Sequence, residues 1–354
     1  MIRKMARWCR RHYYLSTGAL MFFSFPSYDV WFLKGFPFFA WFALVPLLAH
    51  VREVDFGRVY SSSFLAGAMG IFLTYHWIGD FGNKIPGGDI IILAFVIPAL
   101  AVVFASKILA AEYLSRRFER LRPLIFPSVW IVVDGIQSIG FLAFPWTYWG
   151  YSQYTFTSLV QVSSIVGIFG VTFIMILFSA VAADFARAVF STPFSLRWMI
   201  SIPAFRRVLA ALALVAVSIS YGTLRMAQTV SSTDGDRLRL AMVQSCIDPW
   251  EAWNSNKFMY LAELKRLTDL AMRESPDFVV WSESATLELI SYNFRTGAMN
   301  SFTGEVLSMA RDNKRPLLTG EIGILEDRYG RRIYPQNNAV VISEEGEPVQ
   351  TYPK

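Results

Sequence analysis

Glu283 carries the clearest chemistry in the chain. It lies in Asp277-Phe278-Val279-Val280-Trp281-Ser282-Glu283-Ser284-Ala285, where four apolar residues, two of them β-branched, read as a buried strand. Pro276 stops any helix from running into it. A glutamate at the mouth of a buried strand is a place where desolvation can raise a carboxyl's proton affinity and make it a usable general base. The plainer reading is a solvated glutamate at an ordinary strand end. The choice depends on the elements that position this residue and on the partners they bring to it.

Those elements alternate between strand and helix. Arg237–Gln244 reads as a strand, and Asn254–Glu274 has helical spacing at Phe258, Leu261, Leu264, Leu267 and Leu270. After the Glu283 strand, Gly304–Asn313 predicts a shorter helix, and Pro316–Glu321 and Asn338–Ser343 predict two strands. Glu344-Glu345-Gly346-Glu347 is a hairpin-type turn, and Pro348–Tyr352 begins the returning strand. This order implies an α/β layered domain over residues 237–354. Residues 229–236, rich in Ser, Thr, Asp and Gly, read as a linker.

Residues 1–228 have a different composition. The 354-residue chain is 54% hydrophobic, 16% aromatic and only 17% charged, with mean hydropathy +0.38. Soluble domains are about 25% charged, so the balance points to a membrane, and nearly all long apolar runs precede residue 226. A span needs about 20 apolar residues. Candidates are Tyr13–Phe25, Trp31–Val51, Val59–Gly79, Asp89–Ala111, Leu124–Phe141, Phe156–Val189 and Val208–Met226, a bundle of about seven spans. The first could be a signal peptide, but no small-residue cleavage site follows it, which favours a retained span.

The net charge of +6 does not indicate nucleic acid, because the basic residues sit in short clusters between apolar runs. The N-terminus has Arg3, Lys4, Arg7, Arg10 and Arg11. Later clusters are Arg52 and Arg58; Arg116, Arg117, Arg120 and Arg122; and Arg187, Arg197, Arg206 and Arg207. The alternate loops hold little beyond Lys34 and Lys84. Positive residues collect on the cytoplasmic side, so the N-terminus is expected inside and residues after 226 on the outer face. Cys9 and Cys246 fall on opposite sides of the bundle, and with His12, His50 and His76 scattered, neither a disulfide nor a zinc site is expected.

One outer loop is unusual. Phe144-Pro145-Trp146-Thr147-Tyr148-Trp149-Gly150-Tyr151-Ser152-Gln153-Tyr154 is densely aromatic and carries no charge. It reads either as an interfacial anchor or as a platform beneath an active site that takes a lipid. Asp134 and Gln137, within a span, are either functional or close to an interface.

The Phe-Val-Val-Trp-Ser-Glu-Ser-Ala stretch resembles the catalytic-glutamate motif of the nitrilase (carbon–nitrogen hydrolase) superfamily. With the polytopic N-terminal half, the chain resembles the apolipoprotein N-acyltransferases. Matching stretches are Phe144-Pro145-Trp146 with Gly150-Tyr151-Ser152-Gln153, Val243-Gln244 followed by Trp253, Asn338-Ala339, and Tyr352-Pro353-Lys354. The resemblance implies a membrane bundle followed by part of an αββα sandwich, in a bacterial inner-membrane protein. It implies Glu283 as base, Lys354 stabilising the oxyanion, and Trp253, Trp146 and Tyr151 contacting substrate, with no cofactor. The implied reaction is ping-pong: a cysteine thiolate takes an acyl chain from a phospholipid, and the α-amine of a lipoprotein's diacylglyceryl-cysteine then receives it.

In that family the nucleophilic cysteine follows the lysine, and here nothing follows Lys354. The expectation is therefore a fragment or one half of a split enzyme, completed by a C-terminal chain and otherwise left with an open strand edge. The alternatives are a non-catalytic membrane protein and a membrane-tethered nitrilase-type amidase. Cys246 is a weak substitute for the nucleophile, since it follows the first strand where the family has a loop residue.

Overall fold

A computed structural model describes residues 12–26, 35–82, 85–140, 143–191, 203–231, 237–246, 253–326 and 332–353. The chain divides into two compact units, Met1–Thr233 and Asp234–Lys354.

The first unit is helical. Its helices are α1 (Tyr13–Ser24), α2 (Pro37–Ala43), α3 (Val45–Val51), α4 (Phe56–Tyr75), α5 (Gly88–Arg117), α6 (Arg122–Gln137), α7 (Thr157–Val160), α8 (Ser163–Ser191) and α9 (Pro203–Ser231). Among the described residues, three stretches are long and apolar enough to cross a membrane: Gly88–Arg117, Ser163–Phe190 and Pro203–Gln228. The other expected spans take different forms. The Trp31–Val51 stretch holds two seven-residue helices, because Pro46 falls in the first turn of α3 and lacks the amide hydrogen that would continue α2. Its residues 31–34 lie outside the described residues. α1 has 12 residues and α6 has 16. The long sixth region breaks at Gly167, whose φ of 64° interrupts α8. α9 continues to Ser231, through the first residues of the expected linker.

Small residues let these helices approach closely, as lipid-embedded packing favours. A Cβ on Gly70 of α4 would lie 2.4 Å from Met21 Sδ of α1, and one on Gly67 would lie 2.6 Å from the Phe104 ring of α5. Leu44, Leu47, Leu48, Ile108, Phe126, Met175 and Ile176 fill the core between them.

At one end of the unit, ion pairs join the basic loops. Glu112 is fully buried and accepts from Arg116 at 2.9 Å, from Arg52 at 3.3 Å and from Arg122. Arg122 also reaches Asp184 at 3.0 Å, and Arg187 reaches Glu53 at 3.5 Å. Arg52, Arg116 and Arg122, from two of the basic loops in the sequence, therefore meet at Glu112. Arg197 lies outside the described residues, as do Lys34, Lys84 and the N-terminal basic cluster.

The second unit is a five-stranded mixed sheet in the order β1 (Leu240–Val243), β2 (Phe278–Trp281), β3 (Leu317–Glu326), β4 (Arg332–Ile342) and β5 (Pro348–Pro353). β1, β2 and β3 run parallel, and β4 and β5 pair antiparallel. The parallel crossovers carry α10 (Trp253–Met272), and then α11 (Ile290–Thr296) with α12 (Ser301–Asn313). Leu261 and Leu264 of α10 and Phe302 and Val306 of α12 form one core with Val279, Trp281, Leu317, Val340 and Ile342 of the sheet. α11 has no counterpart in the periodicity: its end is held by Glu321 of β3, whose Oε2 accepts from Ser291 N at 2.7 Å.

Candidate active site

β2 is apolar and flanked by β1 and β3, and Glu283 lies just past its carboxyl end, where ligands commonly bind in parallel sheets. Trp281 anchors the strand end, donating from its buried indole to Thr268 Oγ1 at 2.9 Å. The chain then turns: Ala285 N donates to Ser282 O at 3.1 Å, and Ser284 adopts a left-handed φ of 56°. The turn is fastened to β3 by Thr286 Oγ1, which donates to Gly320 O at 2.6 Å. Because the strand stops at Trp281, Glu283 is exposed. Of the two sequence readings, exposure matches the solvated strand end and not the desolvated mouth.

What the tertiary structure supplies is partners. Asn337 Nδ2 donates to Glu283 Oε1 at 2.6 Å. A cleft of about 260 Å³ is lined by Glu283, Ser282, Thr319, Asn337, Asn338 and Tyr352, among others. Asn338 is buried, and strand alternation turns its side chain to the opposite face of β4 from Asn337.

Gly320 is needed for this geometry. A Cβ there would stand 2.5 Å from Ser284 N and 3.3 Å from the Glu283 carbonyl carbon. Gly320→Ala is expected to cost about 1–3 kcal/mol through overpacking and to pull the Glu283 turn off β3. Thermal unfolding of the purified variant checks it; a parent-like melting temperature would mean that the turn yields freely.

The other site residues fall in different places. Trp253 opens α10 and does not line the cleft; its indole donates to Glu288 Oε1 at 3.2 Å and its ring meets Tyr260 and Phe302. Glu288 also accepts from Lys257 at 2.7 Å and was not singled out by any motif. Its position in the same post-β2 segment as Glu283 is the only sequence signal for it. A hydrogen bond to a charged group is worth about 1.5–3 kcal/mol. Glu288→Ala is thus expected to lower activity about as much as Trp253→Phe, with the double variant no worse than either. Additive losses would show that the carboxylate does not act through the indole. Lys354 lies outside the described residues.

Trp146 and Tyr151 belong to the first unit. The aromatic segment forms two short 3₁₀ turns, Pro145–Thr147 and Trp149–Gln153. Tyr148 and Trp149 are buried, whereas Trp146, Tyr151 and Tyr154 are 47%, 43% and 50% exposed. Part of the segment is therefore core and part is surface. Partial burial, aided by neighbouring Tyr148, holds the Tyr151 phenol above its ordinary pKa.

A family model described as the apolipoprotein N-acyltransferase N-terminal domain matches residues 17–181. The chain is 28% identical over 333 residues to apolipoprotein N-acyltransferase 1 of Treponema denticola, covering 88% of this chain and 56% of that protein. It is 27% identical over 347 residues to apolipoprotein N-acyltransferase of Geobacter metallireducens, covering 96% and 62%. Along most of its length the chain is therefore similar to proteins of the apolipoprotein N-acyltransferase family. A further apolipoprotein N-acyltransferase, from Chlorobaculum tepidum, is 25% identical over 356 residues, covering 96% of this chain and 62% of that protein. The chain spans about three-fifths of the length of these relatives. The family model covers the aromatic segment, while the pairwise matches at 96% coverage extend across the Glu283 unit as well.

Proposed function

We propose that this chain forms the membrane bundle and the glutamate-bearing part of an apolipoprotein N-acyltransferase that moves an acyl chain from a phospholipid to a lipoprotein's N-terminal amine. The observation that carries the reading is the Glu283–Asn337 cleft at the carboxyl end of β2, in a chain similar along most of its length to proteins of that name. Asn337 Nδ2 fixes Glu283 Oε1, and the carboxylate is the acceptor of a thiol proton in this reading. The thiolate attacks the phospholipid ester, the lysophospholipid leaves, and the thioester passes its acyl group to the amine.

Lys354 enters as the oxyanion-stabilising cation by resemblance, in the Tyr352-Pro353-Lys354 stretch. The resemblance assigns the nucleophile to a cysteine beyond Lys354, in the part of the relatives' length that this chain does not span. The mixed sheet with its covering helices is read as part of a carbon–nitrogen hydrolase sandwich. A reading of about seven crossings, with the basic loops on the cytoplasmic side, supports a second unit on the outer face of a bacterial inner membrane.

Two measurements test the reading. Cys246 is exposed and free, so a membrane-impermeant maleimide applied to spheroplasts should label it, with Cys9→Ser as background; protection of Cys246 until lysis would reverse the topology. An alkyne-tagged phosphatidylethanolamine, given to membranes containing the protein expressed from its whole gene, should leave a hydroxylamine-labile label. Absence of that label would reject the thioester route.

A further inference from the structure

A buried polar cluster separate from the Glu112 network lies inside the first unit, under the aromatic segment. Lys107 of α5 and Asp134 of α6 are both buried and form an ion pair. Lys107 Nζ also donates to Gln137 Oε1 at 3.4 Å and lies 5.1 Å from the centre of the Trp130 ring. Charges within an apolar bundle are costly and are retained where they serve a task.

Their contacts lead to one place. Gln137 Nε2 donates to Phe144 O at 3.2 Å and to Thr147 Oγ1 at 3.3 Å. Tyr148 Oη donates to Asp134 O at 3.5 Å, and Trp130 meets the buried Trp149 ring edge-on at 5.7 Å. From α4, Tyr75 Oη donates to Trp146 O at 3.1 Å. The segment is thus held from beneath at Phe144, Trp146, Thr147 and Tyr148, while the Trp146 ring stands out and stacks on Trp77 at 5.4 Å.

We infer that Lys107, Asp134 and Gln137 are positioning residues for lipid-donor recognition: an internal polar post that sets the height and orientation of the aromatic segment. Lys107 fixes which way the Gln137 amide faces by occupying its oxygen, and the amide nitrogen then grips the segment's backbone. This rests on the reading that Trp146 and Tyr151 contact the phospholipid donor.

The test separates the post from that reading. Removing one partner alone strands a buried charge and risks unfolding the bundle, so the pair is replaced together, as Lys107→Met with Asp134→Leu. Gln137→Leu, which leaves the pair intact, is the second variant. Position is read by a bimane fluorophore on Trp77→Cys, in a background without Cys9 and Cys246, which Trp146 quenches only on contact. Donor recognition is read as KM for phosphatidylethanolamine in the protein expressed from its whole gene. Both variants are expected to lose at least half of the quenching and to raise KM about tenfold, with kcat little changed. Lys107→Arg, which keeps the charge, is expected to preserve both. Parent-like quenching in both variants would overturn the positioning role. Lost quenching with unchanged KM would leave the post in place but overturn its part in donor recognition.

Discussion

Glu283→Gln in the protein expressed from its whole gene is expected to abolish acyl-enzyme formation while leaving the fold intact. General-base assistance contributes about 10²–10⁴ in rate, and loss of the proton acceptor should remove most of it at neutral pH. The amide is isosteric and Glu283 is exposed, so nothing in the core has to rearrange. Asn337 Nδ2 can still donate, now to the amide oxygen, which keeps the turn in place. The measurement is the initial rate of hydroxylamine-labile labelling from an alkyne phospholipid, together with a melting curve. A loss of less than about tenfold would remove Glu283 from the role of base. Asn337→Ala is the matching control: it frees the carboxylate to rotate but leaves it able to take a proton, so a smaller loss is expected.

The second large effect concerns stability. Glu112→Leu is expected to destabilise the helical unit by about 3–5 kcal/mol, because removing one member of a buried ion cluster leaves uncompensated charge. Glu112 faces three guanidiniums, and its loss leaves Arg122, with its side chain 3% exposed, with Asp184 as its remaining carboxylate among the described residues. Arg122 Nη2 is already without a hydrogen-bond partner among the described residues. Thermal unfolding in detergent should show a drop on the order of 10 °C. The exposed Asp55–Arg58 pair is the comparison, and its loss should be barely detectable, because surface ion pairs are solvent-screened. A Glu112→Leu variant that melts as the parent does would show that the converging arginines find other partners and that the loops are not tied through this residue.

The two units differ in how much their sequences reveal. In the second unit, strand and helix order followed from period and turn residues, and β2, α10, α12 and the β4–β5 hairpin stand close to where the apolar pattern puts them. α11 did not follow, because its cap is supplied by Glu321 of β3. In the first unit, apolar runs locate helices but not their lengths. Pro46 and Gly167 divide what composition reads as continuous stretches. Lys107 drew no notice as a lone lysine in an apolar run; only the α5–α6 packing gives it Asp134 as a partner.

The sequence by itself determined the division into an apolar half and an α/β half, the strand that delivers Glu283, and the uncharged aromatic segment. These are written in local period and composition, which one stretch of chain carries alone. The tertiary structure decided that Glu283 meets Asn337, that Trp253 is held by Glu288 away from the cleft, and that Gln137 grips the aromatic segment. Each of those contacts joins residues on separate elements, or across a loop, and depends on sheet register, helix packing or a close approach such as that at Gly320. A hydrogen bond needs its two atoms within about 3 Å, and only the folded chain fixes distances that fine.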